Sequence, residues 1–473
     1  MKKLISNLIV LLFISYNLAA GWARTYGGTD HDWGYAAQQT TDGGFIVTGS
    51  TKSFGSGSAD LYLIKLNRNG DPQWTKTFGG CSWDEGKSLQ QTDDGGYIIT
   101  GFTHCIGNSD DVYLIKTDSN GDTLWTNTFG GTSDDIGCSV QQTTDEGYII
   151  SGYTWSYGAG GFDVYIIKTD SIGDSLWTKT FGDIYDDWGH SVLQANDGGY
   201  IIAGGAQISG MCSDVYLIKI NNSGDSLWAH TIGGNHHDYG HSIQQTDDGG
   251  YIITGHTLSY GDAAAKVYLI KTDENGVAIW KKFYGGGAED VGHSVQQTSD
   301  GGYIIAGNTC YSAAGHYDIY LIKTDSDGVV LWTKTFGGAG GDEGYTVQQT
   351  TDGGYIIAGY TSSYGAGSYD VWLIKTDENG VVVEETITSI PDNFYYNIKQ
   401  TLDYNISLEF LLPQNSNVEL NIYDVSGRHY SNPISGYYLT GNHDLNFYMG
   451  NNGVYFYSLK IGQVSYPGKF IVF

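Results

Sequence analysis

The sequence predicts an all-β fold, a seven-bladed β-propeller followed by a small β-sandwich. Three observations carry this. A tryptophan motif of the type Leu124-Trp125-Thr126-Asn127-Thr128-Phe129-Gly130-Gly131 recurs at Trp22, Trp74, Trp177, Trp228, Trp280 and Trp332, at intervals of 52, 51, 52, 51, 52 and 52 residues. So regular a period marks a repeat architecture. Glycine is abundant at 70 of 473 residues, proline is scarce at 5, and no long stretch has helical periodicity, which reads as short strands joined by tight turns. Finally, the pattern changes beyond residue 386.

The third repeat serves as the type. Cys138 to Thr143 alternates, Thr144 to Gly147 turns, and Tyr148 to Thr154 is a second strand. A Gly/Ser/aromatic loop leads to a third strand, Asp163 to Lys168, and a turn at Asp170 to Asp174 precedes a fourth, Leu176 to Phe181. Four short antiparallel strands repeated radially make a propeller blade. The first turn appears seven times, at Asp42, Asp94, Asp145, Asp197, Asp248, Asp300 and Asp352. The motif at Trp22 has no strands before it, and the last repeat holds Glu384 where tryptophan belongs. The N-terminal strand is therefore expected to complete the last blade, removing two exposed sheet edges.

The recurring polar residues fit that frame. Asp32, Asp84, Asp135, Asp187, Asp238, Asp290 and Asp342 sit in the loop from fourth to first strand and are expected to accept backbone N–H bonds. Gln39, Gln91, Gln142, Gln194, Gln245, Gln297 and Gln349 recur in the innermost strand as hydrogen-bond fillers near the axis. Gly49, Gly101, Gly152 and their counterparts mark the second strand, where a neighbouring blade is expected to approach closely. The lysines at Lys65, Lys116, Lys168, Lys219, Lys271, Lys323 and Lys375 are expected to pair with turn aspartates.

The formal charge is −29, from 52 acidic and 23 basic residues. Such a surface repels nucleic-acid phosphates and anionic lipid, so no nucleic-acid partner is expected. Residues 1–20 read as a secretory signal peptide: Lys2 and Lys3, an apolar run from Leu8 to Tyr16, and small residues at Ala19-Ala20. No other membrane segment is apparent. The domain plan is thus 1–20 signal peptide, 21–386 propeller and 387–473 C-terminal domain. Of the five cysteines, a Cys81–Cys105 or Cys105–Cys138 bridge is one reading, and buried thiols without a role the other.

The run Lys116-Thr117-Asp118-Ser119-Asn120-Gly121-Asp122-Thr123-Leu124-Trp125 resembles the tryptophan-docking repeat of quinoprotein-like (PQQ-like) propellers, in which a tryptophan after a turn packs between blades. Their chemistry does not carry over, since there is no C-x-x-C-H site and no vicinal cysteine pair. The tail is an alternating-strand segment with Ile422-Tyr423-Asp424-Val425-Ser426-Gly427-Arg428, Gly453-Val454-Tyr455-Phe456-Tyr457 and a terminal Lys469-Phe470-Ile471-Val472-Phe473. It closely resembles the C-terminal sorting domain of type IX secretion cargo from Bacteroidota-like bacteria. The motif residues are Tyr423, Asp424, Gly427, Arg428, Gly453, Tyr455 and Lys469. The resemblance implies the type IX secretion machinery as a partner and a secreted or outer-membrane-surface location.

The variable loops supply the candidate site. Trp33, Trp83, Trp155, Tyr157, Trp188, Tyr239, Tyr260, Tyr311 and Tyr364 lie in loops expected to share one face. Aromatic rings among carboxylates suit an extracellular glycan or protein ligand, and packing of the loops against each other is the plain alternative. His190, His241 and His293 open the first strands of three consecutive repeats, in a slot holding Tyr35, Lys87, Cys138 and Tyr345 elsewhere. Three imidazoles suit a transition metal, but separate blades are expected to hold them apart. The turn Asp118, Asn120, Asp122 has part of a calcium loop without its later bidentate acid. No cofactor is therefore expected, with Ca²⁺ as the open alternative. No hydrolase, metalloprotease or nucleotide motif is present. The leading expectation is a non-enzymatic binding propeller. The alternatives are a glycosidase or lyase using loop carboxylates and a purely structural surface protein.

Overall fold

The computed structural model describes residues 21–80, 82–104, 109–208, 212–261, 264–286, 289–310, 316–382, 395–400, 405–412, 416–424, 428–439, 441–450, 453–461 and 464–472. The signal-peptide segment, Tyr311, Gly427, Cys81 and Cys105 lie outside them. The chain divides into two compact units, 1–383 and 384–473.

The first unit holds seven four-stranded antiparallel sheets among its described residues, the blade motif of a β-propeller. Sheet 1 comprises Asp32–Gln39, Phe45–Thr51, Asp60–Leu66 and Pro72–Phe78. Sheets 2 to 6 repeat it with first strands starting at Asp84, Asp135, Asp187, Asp238 and Asp290. Sheet 7 is built from Asp342–Gln349, Tyr355–Thr361 and Asp370–Thr376, and Trp22–Tyr26 pairs with the last of these from Trp22↔Lys375 to Tyr26↔Val371. No sheet closes on itself. Each is open and is joined to the next through side chains and through backbone bonds such as Asp84 N–H to the Ala59 carbonyl at 2.9 Å.

The second and third strands read as near-continuous Ile/Leu/Val/Tyr because apolar neighbours cover both faces. Ile46, Leu63, Ile149, Ile166, Ile252 and Leu269 are fully buried. Each motif tryptophan packs across the gap onto the residue that opens the next sheet's second strand. The pairs run from Trp74–Tyr97 at 6.0 Å to Trp332–Tyr355 at 5.9 Å, with Trp22–Phe45 at 5.6 Å joining sheet 7 to sheet 1. Such edge-to-face pairs add to the burial that binds neighbouring sheets.

Toward the innermost strands the links are hydrogen bonds. Gln91, Gln142, Gln194, Gln297, Gln349 and Gln39 each donate a backbone N–H to a glutamine side chain of the preceding sheet, at 2.5–2.7 Å. The side-chain oxygens of Gln91, Gln142, Gln194, Gln245, Gln297, Gln349 and Gln39 accept in turn from the first turn of that preceding sheet, at 2.8–3.0 Å. The aspartates Asp32, Asp84, Asp135, Asp187, Asp238, Asp290 and Asp342 are buried and accept a backbone N–H four residues upstream at 2.8–3.0 Å. All seven recurring lysines are buried and reach the exposed turn aspartates, from Lys65–Asp42 to Lys375–Asp352, at 2.6–3.0 Å.

The second-strand glycines are confined from two sides. A Cβ on Gly152 would lie 1.8 Å from the Ile136 carbonyl of its own sheet, and Gly49, Gly101, Gly204, Gly255, Gly307 and Gly359 repeat this. That tightest contact is with the first strand beside them, and the neighbouring sheet approaches as expected: a Cβ on Gly189 would lie 2.9 Å from the Gly152 carbonyl, and one on Gly34 2.7 Å from the Gly359 carbonyl. The cause of the tightest contact is a bulge in the first strand. Gly137 pairs with Gly152 and Ser139 with Ser151, leaving Cys138 as an extra residue. The first-strand glycine faces the preceding sheet in turn: a Cβ on Gly137 would meet Thr100 Oγ1 at 2.4 Å and the Gly101 carbonyl at 3.1 Å.

The second unit has a three-stranded sheet, Tyr395–Gln400, Asn405–Leu412 and Gly441–Tyr448. It also has a four-stranded one, His429–Tyr438, Ser416–Tyr423, Gly453–Ile461 and Val464–Val472. Both feed one core, with Ile406, Leu408 and Phe410 from the first and Val418, Leu420, Ile422 and Leu459 from the second.

Candidate functional site

The bulge described for Cys138 occurs in all seven first strands. The extra residues are Tyr35, Lys87, Cys138, His190, His241, His293 and Tyr345. A bulged residue has no cross-strand partner and the bulge re-aims its side chain. Here all seven line one cavity of about 490 Å³, floored by Ser88, Ser139, Ser191, Ser242 and Ser294. Those serines are committed on one side: each accepts the backbone N–H of the next sheet, as in Val140 N to Ser88 Oγ at 3.2 Å. The bulge is thus repeated sevenfold, whereas its residue is histidine in three sheets, tyrosine in two, and lysine and cysteine in one each.

That position also overturns the expected separation of the histidines. The rings of His190 and His241 are 5.2 Å apart, and those of His241 and His293 5.4 Å. His293 stacks obliquely on Tyr345 at 4.8 Å, and Tyr345 meets Tyr35 edge-on at 5.3 Å. The bulge turns these side chains inward to one another, where regular strands would have spread them.

A second tier comes from the residue after each recurring aspartate and its partner on the second strand. Glu85 pairs with Phe102, Ile136 with Tyr153, Tyr239 with His256, Val291 with Asn308, and Glu343 with Tyr360. Lys87 Nζ sits 2.7 Å from Glu85 Oε1 and over the Tyr35 ring at 5.3 Å. Glu343 Oε2 accepts from Tyr345 at 2.7 Å and from Asn308 at 3.2 Å. His241 Nε2 and His256 Nδ1 are hydrogen-bonded at 3.0 Å.

Electrostatics divides the ring. Burial pushes His190 and His256 down to about 4 and His293 to about 3, helped at His190 by the Lys87 charge and opposed at His256 by Asp238 and Glu289, and burial takes His241 well below the usual imidazole value. The histidine side is therefore neutral at neutral pH. Burial opposes the Lys87 charge, but Glu85 outweighs it and the ammonium is held raised. Burial lifts the Cys138 thiol to about 11, against the pull of Lys87. It is a neutral thiol, not an activated nucleophile. Cys138, Cys212 and Cys310 are free, which removes the Cys105–Cys138 bridge.

The loop aromatics separate into three groups, with Trp155 apart from them. Tyr157, Tyr260 and Tyr364 donate their hydroxyls to the carbonyls of Gly130, Gly233 and Gly337 at 2.5, 2.8 and 2.9 Å, so they tie loop to loop. Trp33 stacks on His31 at 5.4 Å and on Trp83 at 5.8 Å, with Lys52 over Trp83 at 4.8 Å. Trp188 packs against Tyr239 at 5.9 Å, and Tyr239 against His256 at 5.0 Å, which brings this pair to the histidine side. Trp155 stands out, 54 % exposed, beside Phe162.

The calcium-like turn is closed on itself. Asp118 Oδ1 accepts the backbone N–H of Asn120 and of Asp122, each at 2.9 Å, and Asp122 pairs with Lys76 at 2.8 Å. In the second unit, Tyr423 ends one strand and packs on His429 at 5.7 Å. Asp424 accepts the Arg428 N–H at 3.1 Å, Tyr455 is buried, Gly453 opens its strand, and Lys469 is exposed. Among the described residues no helix is long and apolar enough to cross a membrane.

Sequence reading reached the bulge slot but missed the second tier: Glu85, Tyr153, His256, Asn308 and Glu343. The available signal was variability. These residues flank invariant Asp and Gly positions yet vary among the repeats.

No family model and no curated protein matches the chain. Among solved structures it is similar to Sqt1 from Chaetomium thermophilum, at 10 % identity over 82 % of this chain and 97 % of that one, TM-score 0.44. It is similar to the Neurospora crassa Pan2 WD40 domain, at 7 % identity over 74 % and 91 %, TM-score 0.45. It is also similar to YCF48 bound to D1 peptide, at 11 % over 77 % and 97 %, TM-score 0.42.

Proposed function

We propose that this chain is a secreted, non-enzymatic seven-bladed propeller that binds an extracellular glycan or protein at the axial mouth. The observation that carries this is the contrast at the bulge. The frame repeats in all seven sheets, while the side chains turned into the mouth differ: Tyr35, Lys87, Cys138, His190, His241, His293 and Tyr345. A scaffold alone has no need for that diversity, and ligand sites combine apolar walls with a few placed polar groups. The stack of His31, Trp33 and Trp83 beside Lys52 extends the surface. The second unit is read as an Ig-like sorting domain, delivering the propeller to the medium or outer-membrane surface through type IX export. Supporting this is the Tyr423–Asp424…Arg428 turn together with Gly453, Tyr455 and Lys469.

The test is the purified chain on native gels containing soluble polysaccharides, with new reducing ends assayed in the same mixtures. Retardation without new ends, lost in Lys87→Ala together with Tyr345→Ala, supports binding. Deleting residues 387–473 should leave the protein inside a type IX-competent host.

A second reading, a carbohydrate-active enzyme, is favoured by one observation. Glu85 and Glu343 are carboxylates at a position where the other sheets carry Trp33, Ile136, Trp188, Tyr239 and Val291. New reducing ends that vanish in Glu343→Gln would establish it in place of the first.

A further inference from the structure

Four imidazoles meet on one side of the axial mouth. Three are the bulged residues His190, His241 and His293, and the fourth, His256, comes from the second strand of sheet 5. His241 and His256 rings lie 5.2 Å apart with facing nitrogens at 3.0 Å. His190 stands on the other flank of His241 at 5.2 Å between ring centres. His293 is held differently, because its Nε2 accepts from Asn308 Nδ2 at 3.1 Å.

We propose that His241, His256 and His190 form a binding site for a borderline divalent transition metal such as Zn²⁺, Ni²⁺ or Cu²⁺. Ligand nitrogens about 2.0–2.1 Å from such an ion stand roughly 3 Å from each other, and His241 Nε2 and His256 Nδ1 already have that separation. An all-imidazole set selects these metals over Ca²⁺ and Mg²⁺, which require oxygen ligands. Among the described residues no three His, Cys, Asp or Glu donors converge on one point as the side chains stand. Closing the site therefore requires the His190 ring to turn, and the cavity of about 490 Å³ beside it leaves the room. The proton between His241 and His256 moves to a far ring nitrogen, so each ligand stays a neutral imidazole. The inference does not rest on the macromolecular ligand proposed above.

The experiment uses the full chain, stripped with chelator and titrated with Zn²⁺ by calorimetry and with Co²⁺ by visible absorption. One equivalent is expected, with a Co²⁺ ligand-field band. His241→Asn and His256→Asn should each weaken binding at least tenfold and abolish the band. His293→Asn should change affinity by less than threefold. His236→Asn, on an exposed loop, is the control for surface binding and should change nothing. Unfolding midpoints of the metal-free variants report whether each folds, and if His241→Asn does not, His256→Gln carries the test. Absence of a stoichiometric event, or one lost in His236→Asn and kept in His241→Asn, overturns the site. Polysaccharide retardation that persists in stripped protein leaves the binding propeller standing whatever the metal result.

Discussion

The backbone N–H of Gln39 donates to the side-chain oxygen of Gln348 at 2.7 Å, across 309 residues of chain. The same bond joins Gln91 to Gln38 and Gln349 to Gln296 between sheets adjacent in sequence. The first and last sheets are thus neighbours of the ordinary kind. Trp22–Tyr26 makes them so by supplying the fourth strand of sheet 7. Deleting residues 21–27 would leave Asp370–Thr376 as an unpaired edge and remove the Trp22–Phe45 contact. The expected outcome is a less cooperative denaturant unfolding curve, a lower midpoint and concentration-dependent aggregation. An unchanged curve would mean that closure adds nothing.

The belt has one gap. Leu193 occupies the position of Gln38, Gln90, Gln141, Gln244, Gln296 and Gln348. Leu193→Gln supplies an acceptor for the Gln245 N–H and is expected to stabilise by about 0.5–1 kcal/mol, after the loss of Leu193 packing against the sheet 4–5 core. Urea midpoints at constant slope check this.

Glu146 has φ of 66°, where the equivalent Gly43, Gly95, Gly198, Gly249, Gly301 and Gly353 have φ of 80–87°. Side chains other than glycine are strained in this left-handed region by about 1 kcal/mol or more. Glu146→Gly is expected to stabilise by roughly 1 kcal/mol, and Gly95→Ala, with open space around its Cβ, to destabilise by about as much. Gly152→Ala differs in kind. Its Cβ would stand 1.8 Å from the Ile136 carbonyl, so the bulge must break, with an expected loss above about 3 kcal/mol. Thermal unfolding of the three variants ranks them.

Two sets of carboxylates give opposite pH limbs. Burial works against ionised Asp42, Asp94 and Asp300, but the bonds from Lys65 to Asp42, from Lys116 to Asp94, and from Thr298 and Lys323 to Asp300 prevail and hold them at about 2. Their contribution is present above the unfolded value near 4 and is lost as pH falls toward 2. Asp187 is raised to about 6 by burial first and by the nearby Asp183 and Asp163 charges. Its ionisation costs stability above pH 6, and that cost is relieved as pH falls toward 4. Asp187→Asn should therefore exceed the parent in stability at pH 8, with the advantage gone by pH 4. A constant difference across that range would show that hydrogen bonding, not charge, dominates the site.

The repeat period by itself determined the strands, the turns, the Asp, Gln and Lys frame, and the pairing of Trp22 with the last sheet. Each follows from local pattern repeated often enough to be unmistakable, with partners in the same sheet or the next. Tertiary structure decided where chemistry gathers. Alternation alone cannot show that Cys138 is an extra residue between Gly137 and Ser139, because a bulge shifts side chains without changing the strand pattern. That shift explains why the second-strand glycines face a carbonyl of their own sheet. It also explains why His190, His241 and His293 meet instead of standing apart. His256 joins them because Tyr239 and His256 pair across two strands, a register that fixes which variable positions share the mouth. The spacing of the repeats sets the frame, and convergence around the axis, which no single repeat encodes, sets the site.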